Sequence, residues 1–404
     1  MPFASCLLTF AFPTFLLPTA YWLLSLFPVL CFAQSPSPKP YAAINRDAVS
    51  YNGPGRDSAH DLAGAEIRVG LLAPLAGPPQ AEGEALRHAA ELAIEEENAA
   101  SLPGGRRLAL VIRDESGPWG QAATQISHMV FDDQAVALIT SAEGSSAHLA
   151  EQIANKIGVP VLTLSTDSTT TEINLPWIFR LGPTDTAQAR AFARDIYQNR
   201  KLQRVVLLSQ DDHDGRVGSE EFIKAARELG AMAPSQIVVE AEKVPEELVK
   251  KELAGAQAVV IWADATTANR LAGLVRAQPT SVPLYLCRKA AEGDAGGASH
   301  SPCAKCGNQQ DGGQWLAATP ASPQARADFY QRYRQRFGAE PGIGAAQAYD
   351  AVRLLAASLR QSGPNRARLR DALDQVSAFA GASGIISFDH AGNDTSQVTI
   401  LKLK

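Results

Sequence analysis

The chain has 404 residues, with 37 Lys+Arg against 42 Asp+Glu and a net charge of −5. The charges are unevenly placed: Met1 to Ala33 holds none, and the first cation is Lys39. A charged body of this size excludes a polytopic membrane protein, a disordered chain and a disulfide-dense mini-domain, and a mildly acidic balance without a basic block argues against nucleic acid as a partner.

Residues 1–33 are almost wholly apolar, interrupted by Pro13, Pro18 and Pro28. Cys31 and Ala33 set small residues where a signal peptidase reads, so the segment is expected to be a secretory signal cleaved after Ala33. Two alternatives stand beside it. The apolar length suffices for an uncleaved membrane anchor, and Cys31 suits lipid attachment, although Leu30 precedes it where a small residue is wanted. Residues 34–64, rich in Ser, Pro, Gly, Asn and Asp, read as a flexible leader.

From Ala65 a regular beat begins. Ile67–Leu72 is a short apolar run, followed by helical spacing of Leu86, Ala89, Ala90, Ala93 and Ile94 over 84–98. Strands are expected at 108–112, 136–139 and 159–163, with helices over 122–132 and 146–157. The beat goes on through helix 187–199, strand 205–209, helix 219–229, strands 235–240 and 258–262, helix 267–277 and strand 284–287. Last come strand 315–318, helices 324–337, 344–360 and 366–376, and a hairpin-like close of 384–388 with 398–402. Short apolar strands between helices of about 12 residues mean parallel sheets covered on both faces. Ligands of such sheets bind at the carboxyl ends of strands. The strand-end loops here carry Ser, Thr, Gly and Asp, which suit a small polar or anionic solute.

An ordered series of short motifs runs through this body. Val69-Gly70 is followed by Pro74-Leu75-Ala76-Gly77. Ser145-Ser146 precedes a helix, and Gly158-Val159-Pro160-Val161 follows it. Then come Phe179-Arg180, Pro183, Asp185 and Gln188, and Gly215 after an acidic loop. Ala348-Tyr349-Asp350-Ala351-Val352 and Gly384 with Phe388-Asp389 and Gly392 complete the series. The series resembles the type I periplasmic solute-binding proteins of the branched-chain amino acid (Leu/Ile/Val-binding) kind. That resemblance implies an α/β fold of two doubly wound parallel-sheet lobes joined by a three-crossover hinge. Lobe 1 would hold 65–186 and 317–376, and lobe 2 would hold 187–316 and 377–404. It further implies a ligand carboxylate met by Gly144, Ser145 and Ser146 and by Asp167, Ser168 and Thr169. The start of a helix at Ser146 agrees, since its free N–H groups favour anions. In lobe 2, Asp214 stands where relatives present an aromatic residue. Arg288 falls at or near the place of an acidic partner for a ligand ammonium. With Trp262 at a strand end, these would set selectivity, and their altered charges argue against a standard branched-chain amino acid. The run 211–214 otherwise reads as a solvated strand-end loop.

Cys287, Cys303 and Cys306 cluster around a Gly/Ser-rich insertion, about 291–313. A disulfide between two of them is expected in an oxidising compartment. The second option is zinc on Cys287, His300, Cys303 and Cys306. No GxSxG, Walker A, GxGxxG or HExxH pattern occurs. The expectation is a periplasmic, non-enzymatic, monomeric binder without cofactor. Its partners would be a small-molecule ligand and the membrane permease of an ABC importer. The competing expectations are a sensor module of the same fold and a redox or hydrolytic enzyme using the Cys loop.

Overall fold

The computed structural model describes residues 62–403 apart from 101, 119, 173–174, 242, 280, 293–299 and 303–312. The export segment, most of the leader, and Cys303 and Cys306 with most of their insertion lie outside the described residues.

The first lobe opens with β1 (Glu66–Ala73), α1 (Gln80–Ala99), β2 (Arg107–Asp114), α2 (Gln121–Phe131) and β3 (Ala137–Thr140). It continues with α3 (Gly144–Ile157), β4 (Val161–Thr163), the single turn α4 (Thr169–Glu172) and β5 (Ile178–Arg180). The strands lie parallel in the order β2-β1-β3-β4-β5. All of β3 is buried, as a strand with helices on both faces must be. On one face Leu86, Ala89, Ala90 and Ala93 of α1 pack in one core with Val69, Leu71 and Ile139. On the other, Ile126 and Met129 of α2 and Ala150 and Ala154 of α3 cover Leu138 and Val161.

The chain then crosses to the second lobe. It makes α5 (Asp185–Ala193), prolonged by a π-helical turn over Arg194–Asn199, then β6 (Val205–Gln210), α6 (His213–Glu228) and β7 (Ser235–Val239). There follow α7 (Glu246–Leu253), β8 (Ala258–Trp262), α8 (Ala265–Arg276), β9 (Leu284–Leu286), β10 (His300–Pro302) and β11 (Gln314–Ala318). It returns to the first lobe for α9 (Pro323–Phe337), α10 (Ile343–Ser362), α11 (Arg366–Asp374) and the small pair β12 (Phe379–Ala380) and β13 (Ile385–Ile386). It crosses a third time into β14 (Thr399–Leu403). The second sheet has the order β10-β14-β11-β9-β8-β6-β7. It is parallel except where β14 runs antiparallel to both β11 and β10. No helix among the described residues is long and apolar enough to cross a membrane.

Three features differ from the sequence expectation. The closing segments do not form a hairpin with each other: Ile385–Ile386 pairs with Phe379–Ala380, and β14 pairs with β11. The lobe limits move as well. Ala382, Ile386 and Phe388 are buried in the first core, and Arg180 N–H donates to the Gly392 carbonyl at 2.8 Å. So of residues 377–404 only the last strand joins the second sheet, and β11 stays in that sheet through Ala318. Finally, α6 starts at His213, well before Ser219. Asp212 Oδ1 accepts from Gly215 N–H at 2.7 Å, the N-cap bond that ends the loop and begins the helix.

Candidate functional site

The loops that follow β1, β3 and β4 in the first lobe meet those that follow β6, β8 and β9 in the second. This is the place where open α/β sheets hold ligands. The meeting is intimate at the start of α3. Gly144 N–H donates to Asp214 Oδ1 at 3.1 Å, so a carboxylate of the second lobe sits on the free N-terminus of a first-lobe helix. Glycine is needed there, because a Cβ on residue 144 would lie 2.4 Å from Asp214 Oδ1 and 3.0 Å from the His213 ring. A second contact repeats the device: Gly344 N–H, in the first turn of α10, donates to Glu292 Oε1 at 2.7 Å. Both bridging carboxylates also meet a cation of their own lobe. Lys289 Nζ lies 2.8 Å from Asp214 Oδ2 and 2.6 Å from Glu143 Oε1, and Arg288 Nη2 lies 3.3 Å from Glu292 Oε1. Burial opposes the Lys289 charge, but Asp214, Glu143 and Asp212 overcome it and hold its pKa well above the ordinary value.

Asp167 is fully buried at the centre. Its Oδ1 accepts from Thr169 N–H at 2.9 Å and Thr169 Oγ1 at 2.7 Å. Its Oδ2 meets His148 Nε2 at 3.0 Å and His213 Nε2, from the second lobe, at 2.7 Å. Burial alone would raise the Asp167 carboxyl. The bonds from His148, His213 and Thr169 outweigh it and hold the group well below the usual carboxylate range. In return, Asp167 and Glu151 push His148 up to about 9. Behind Asp167 the buried Arg180 guanidinium donates to the carbonyls of Asp167 and Ser168 and to Thr171 Oγ1, and burial lowers it to about 10.

Beside this contact is a cavity of about 700 Å³ with walls from both lobes. Its charged lining residues are Glu82, Glu143, Asp212, Asp264, Lys289, Glu292 and Glu340. Burial, with the Glu292 charge, pushes Glu82 up to about 7. A neighbouring hollow of about 530 Å³ shares Pro78, Pro79 and Glu143 and adds Ser145, Ser146, Ser116 and Glu115. Burial pushes Glu115 up to about 8.

The structure thus brings Gly144, Asp167, Thr169 and Asp214 together, with Ser145 and Ser146 on the adjoining hollow. Ser168 is buried, with its carbonyl held by Arg180 and its Oγ 3.4 Å from Thr186 Oγ1. Three expectations need correction. Trp262 is in the second core, packed edge-on to Phe192, with its indole pressed on Gly218. It lines neither hollow. Arg288 is 2% exposed, and its guanidinium is spent on the Leu164 carbonyl at 2.6 Å and on Glu292. It ties the lobes rather than offering itself to solvent. The run 211–214 is likewise no solvated loop, since Asp212 caps α6 and His213 and Asp214 reach the first lobe. Cys287 is a buried free thiol that donates to the Ala263 carbonyl at 3.7 Å, and burial pushes it up to about 12. The proposed disulfide and zinc sets depend on Cys303 and Cys306, outside the described residues. Sequence reasoning missed His148, Glu143, Lys289 and Glu292 as participants. Only the spacing of His148, one turn into α3 from Gly144, hinted at the site.

A family model described as periplasmic binding protein matches residues 66–401. The Leu/Ile/Val-binding protein BraC3 of Rhizobium johnstonii is 26% identical over 171 residues, which is 42% of this chain and 46% of that protein. The match thus spans less than half of that relative. A Leu/Ile/Val-binding protein homolog 2 of Brucella abortus is 25% identical over 336 residues, 81% of this chain and 88% of the relative. Among solved structures, the leucine-binding protein LivK of Thermotoga maritima superposes with a TM-score of 0.71 at 20% identity, covering 84% of this chain and 95% of that one.

Proposed function

Because the chain belongs to the type I periplasmic binding proteins of the Leu/Ile/Val-binding family, we propose that it is the extracytoplasmic solute-binding component of an ABC importer. In this reading it traps a small polar, amino-acid-like or carboxylated solute between its lobes and performs no chemistry. The observation that carries the reading is the cavity of about 700 Å³ walled by both lobes, within the size range of small-ligand sites. A zwitterion suits its walls. Glu82, Glu143, Asp212 and Asp264 favour an ammonium, while the Ser145 and Ser146 hydroxyls of the adjoining hollow favour a carboxylate. The solute adds contacts to both lobes at once, so its binding free energy favours the closed arrangement, which the membrane permease then recognises. Residues 1–33 would direct export.

A thermal-shift screen against amino acids, small carboxylates, amides and aromatic acids tests this, since a ligand of the native state raises Tm by mass action. One class should raise Tm. Replacing Ser145 and Ser146 together by Ala should weaken that solute by about 1 kcal/mol, or roughly fivefold, per hydrogen bond lost. If no class shifts Tm, the reading is overturned.

A further inference from the structure

We propose that His148 and Asp167 of the first lobe and His213 of the second form a binding site for a divalent transition-metal ion of the zinc class. Three ligand atoms, one per residue, lie within 4.8 Å of one another. Both imidazoles point Nε2 at the same Asp167 oxygen, at 3.0 and 2.7 Å. The rings stand edge-to-face, with centroids 5.7 Å apart. An ion about 2.0–2.2 Å from each atom needs only a slight spreading of this set.

The surroundings prepare these atoms as ligands. Glu151, 1% exposed, takes the other nitrogen of His148, Nδ1, at 3.1 Å. This is the carboxylate–imidazole pairing that orients a metal-binding histidine and fixes its proton on the far nitrogen. Thr169 occupies Asp167 Oδ1 and leaves Oδ2 for the ion. His148 and His213 keep 28% and 39% of their side-chain surface exposed, so an ion has a path in from solvent. The charged groups around the cluster are Asp167, Glu151, Glu143, Asp214, Lys289 and Arg180. Lys289 is already matched by Asp214 and Glu143. Two imidazoles and one carboxylate suit zinc, nickel or cobalt and not the oxygen-seeking magnesium or calcium. Three protein ligands also leave a fourth position for water or a donor atom of a solute.

An ion can bind only a ring nitrogen that has given up its proton. Affinity therefore rises with pH and binding releases protons. The site is separable from the solute reading, because no solute enters its test.

The test uses untagged protein stripped with EDTA and titrated calorimetrically with zinc chloride, and in parallel with magnesium and calcium chlorides. One equivalent of zinc should bind, with a heat that depends on the ionisation enthalpy of the buffer. Magnesium and calcium should show at least a hundredfold weaker binding. His148→Ala and His213→Ala should each weaken zinc at least tenfold, while a Cys303→Ser, Cys306→Ser double variant should bind as the parent does. Cobalt on the parent protein gives a readout that needs no variant: imidazole and carboxylate ligation yields only ligand-field bands. Absence of stoichiometric zinc, undiminished zinc binding in His213→Ala, loss of zinc in the cysteine variant, or a thiolate-to-cobalt charge-transfer band each overturns the proposal.

Discussion

Gly144 is one of the residues on which the two lobes touch, and the reason is its missing side chain. A methyl group there would lie 2.4 Å from Asp214 Oδ1, so Gly144→Ala should hold the lobes apart. Small-angle scattering should show a larger radius of gyration than that of the parent, and an unchanged value would contradict this role. His148 makes a pH prediction. Its folded-state pKa of about 9 lies above the unfolded value near 6.5. The stability it adds is complete below about pH 6.5 and is lost as pH rises toward 9. In EDTA, the Tm advantage of the parent over His148→Gln should therefore shrink between pH 6 and pH 9. These residues show why the site was only half legible. Gly144 and Asp167 stand in recognisable strand-end loops. Their partners lie far along the chain, 70 residues away for the pair of Gly144 with Asp214. No local pattern reports such a contact.

At the scale of elements, the start of α6 decides what enters the cleft. The Asp-Asp-His-Asp run has the composition of a loop, and the sequence reading ended it at Ser219. A capping aspartate has the same composition, and only the Asp212 bond to Gly215 tells the two apart. Asp212→Ala should cost about 1 kcal/mol of stability in denaturant unfolding. It should also loosen His213 and Asp214. Trp262 teaches the converse lesson. Its strand end faces the cleft, but every residue of β8 is buried, and the indole fills the space left by Gly218. Gly218→Ala would put a methyl 1.8 Å from Trp262 Nε1 and should cost at least about 1–3 kcal/mol, read as a fall in the denaturation midpoint. The longer helices and most strands were legible because their apolar spacing is local. Strand ends and helix starts were not, because packing partners fix them.

For the whole molecule, ionisation acts in one direction. Burial raises the carboxyls of Glu82 and Asp185 to about 7 and that of Glu115 to about 8. Each such group weakens the fold as pH climbs from its unfolded value near 4 through its folded one. His148 acts in the same sense at higher pH. Asp167 acts oppositely, losing its contribution as pH falls below about 4. Stability should thus peak on the acid side of neutrality, and a Tm maximum above pH 8 would refute this balance. The lobes are held by charge. Lys289→Met leaves the partly exposed Asp214 and Glu143 without their buried cation and should cost about 1–3 kcal/mol, with the loss visible in chemical denaturation.

The placing of β14 has a consequence for how the protein is made. The strand next to β11, Thr399–Leu403, follows every other described element, so the second sheet lacks a member until those residues have been made. The first lobe waits almost as long, because α9, α10 and α11 follow the whole of the second sheet except that strand. Each half therefore stays unfinished for most of the chain's synthesis, the first until Phe388 and Asp394 have been made and the second until Thr399–Leu403. Truncation before Thr399 would leave β11 with an unpaired edge, and such a chain should aggregate rather than fold as a smaller protein.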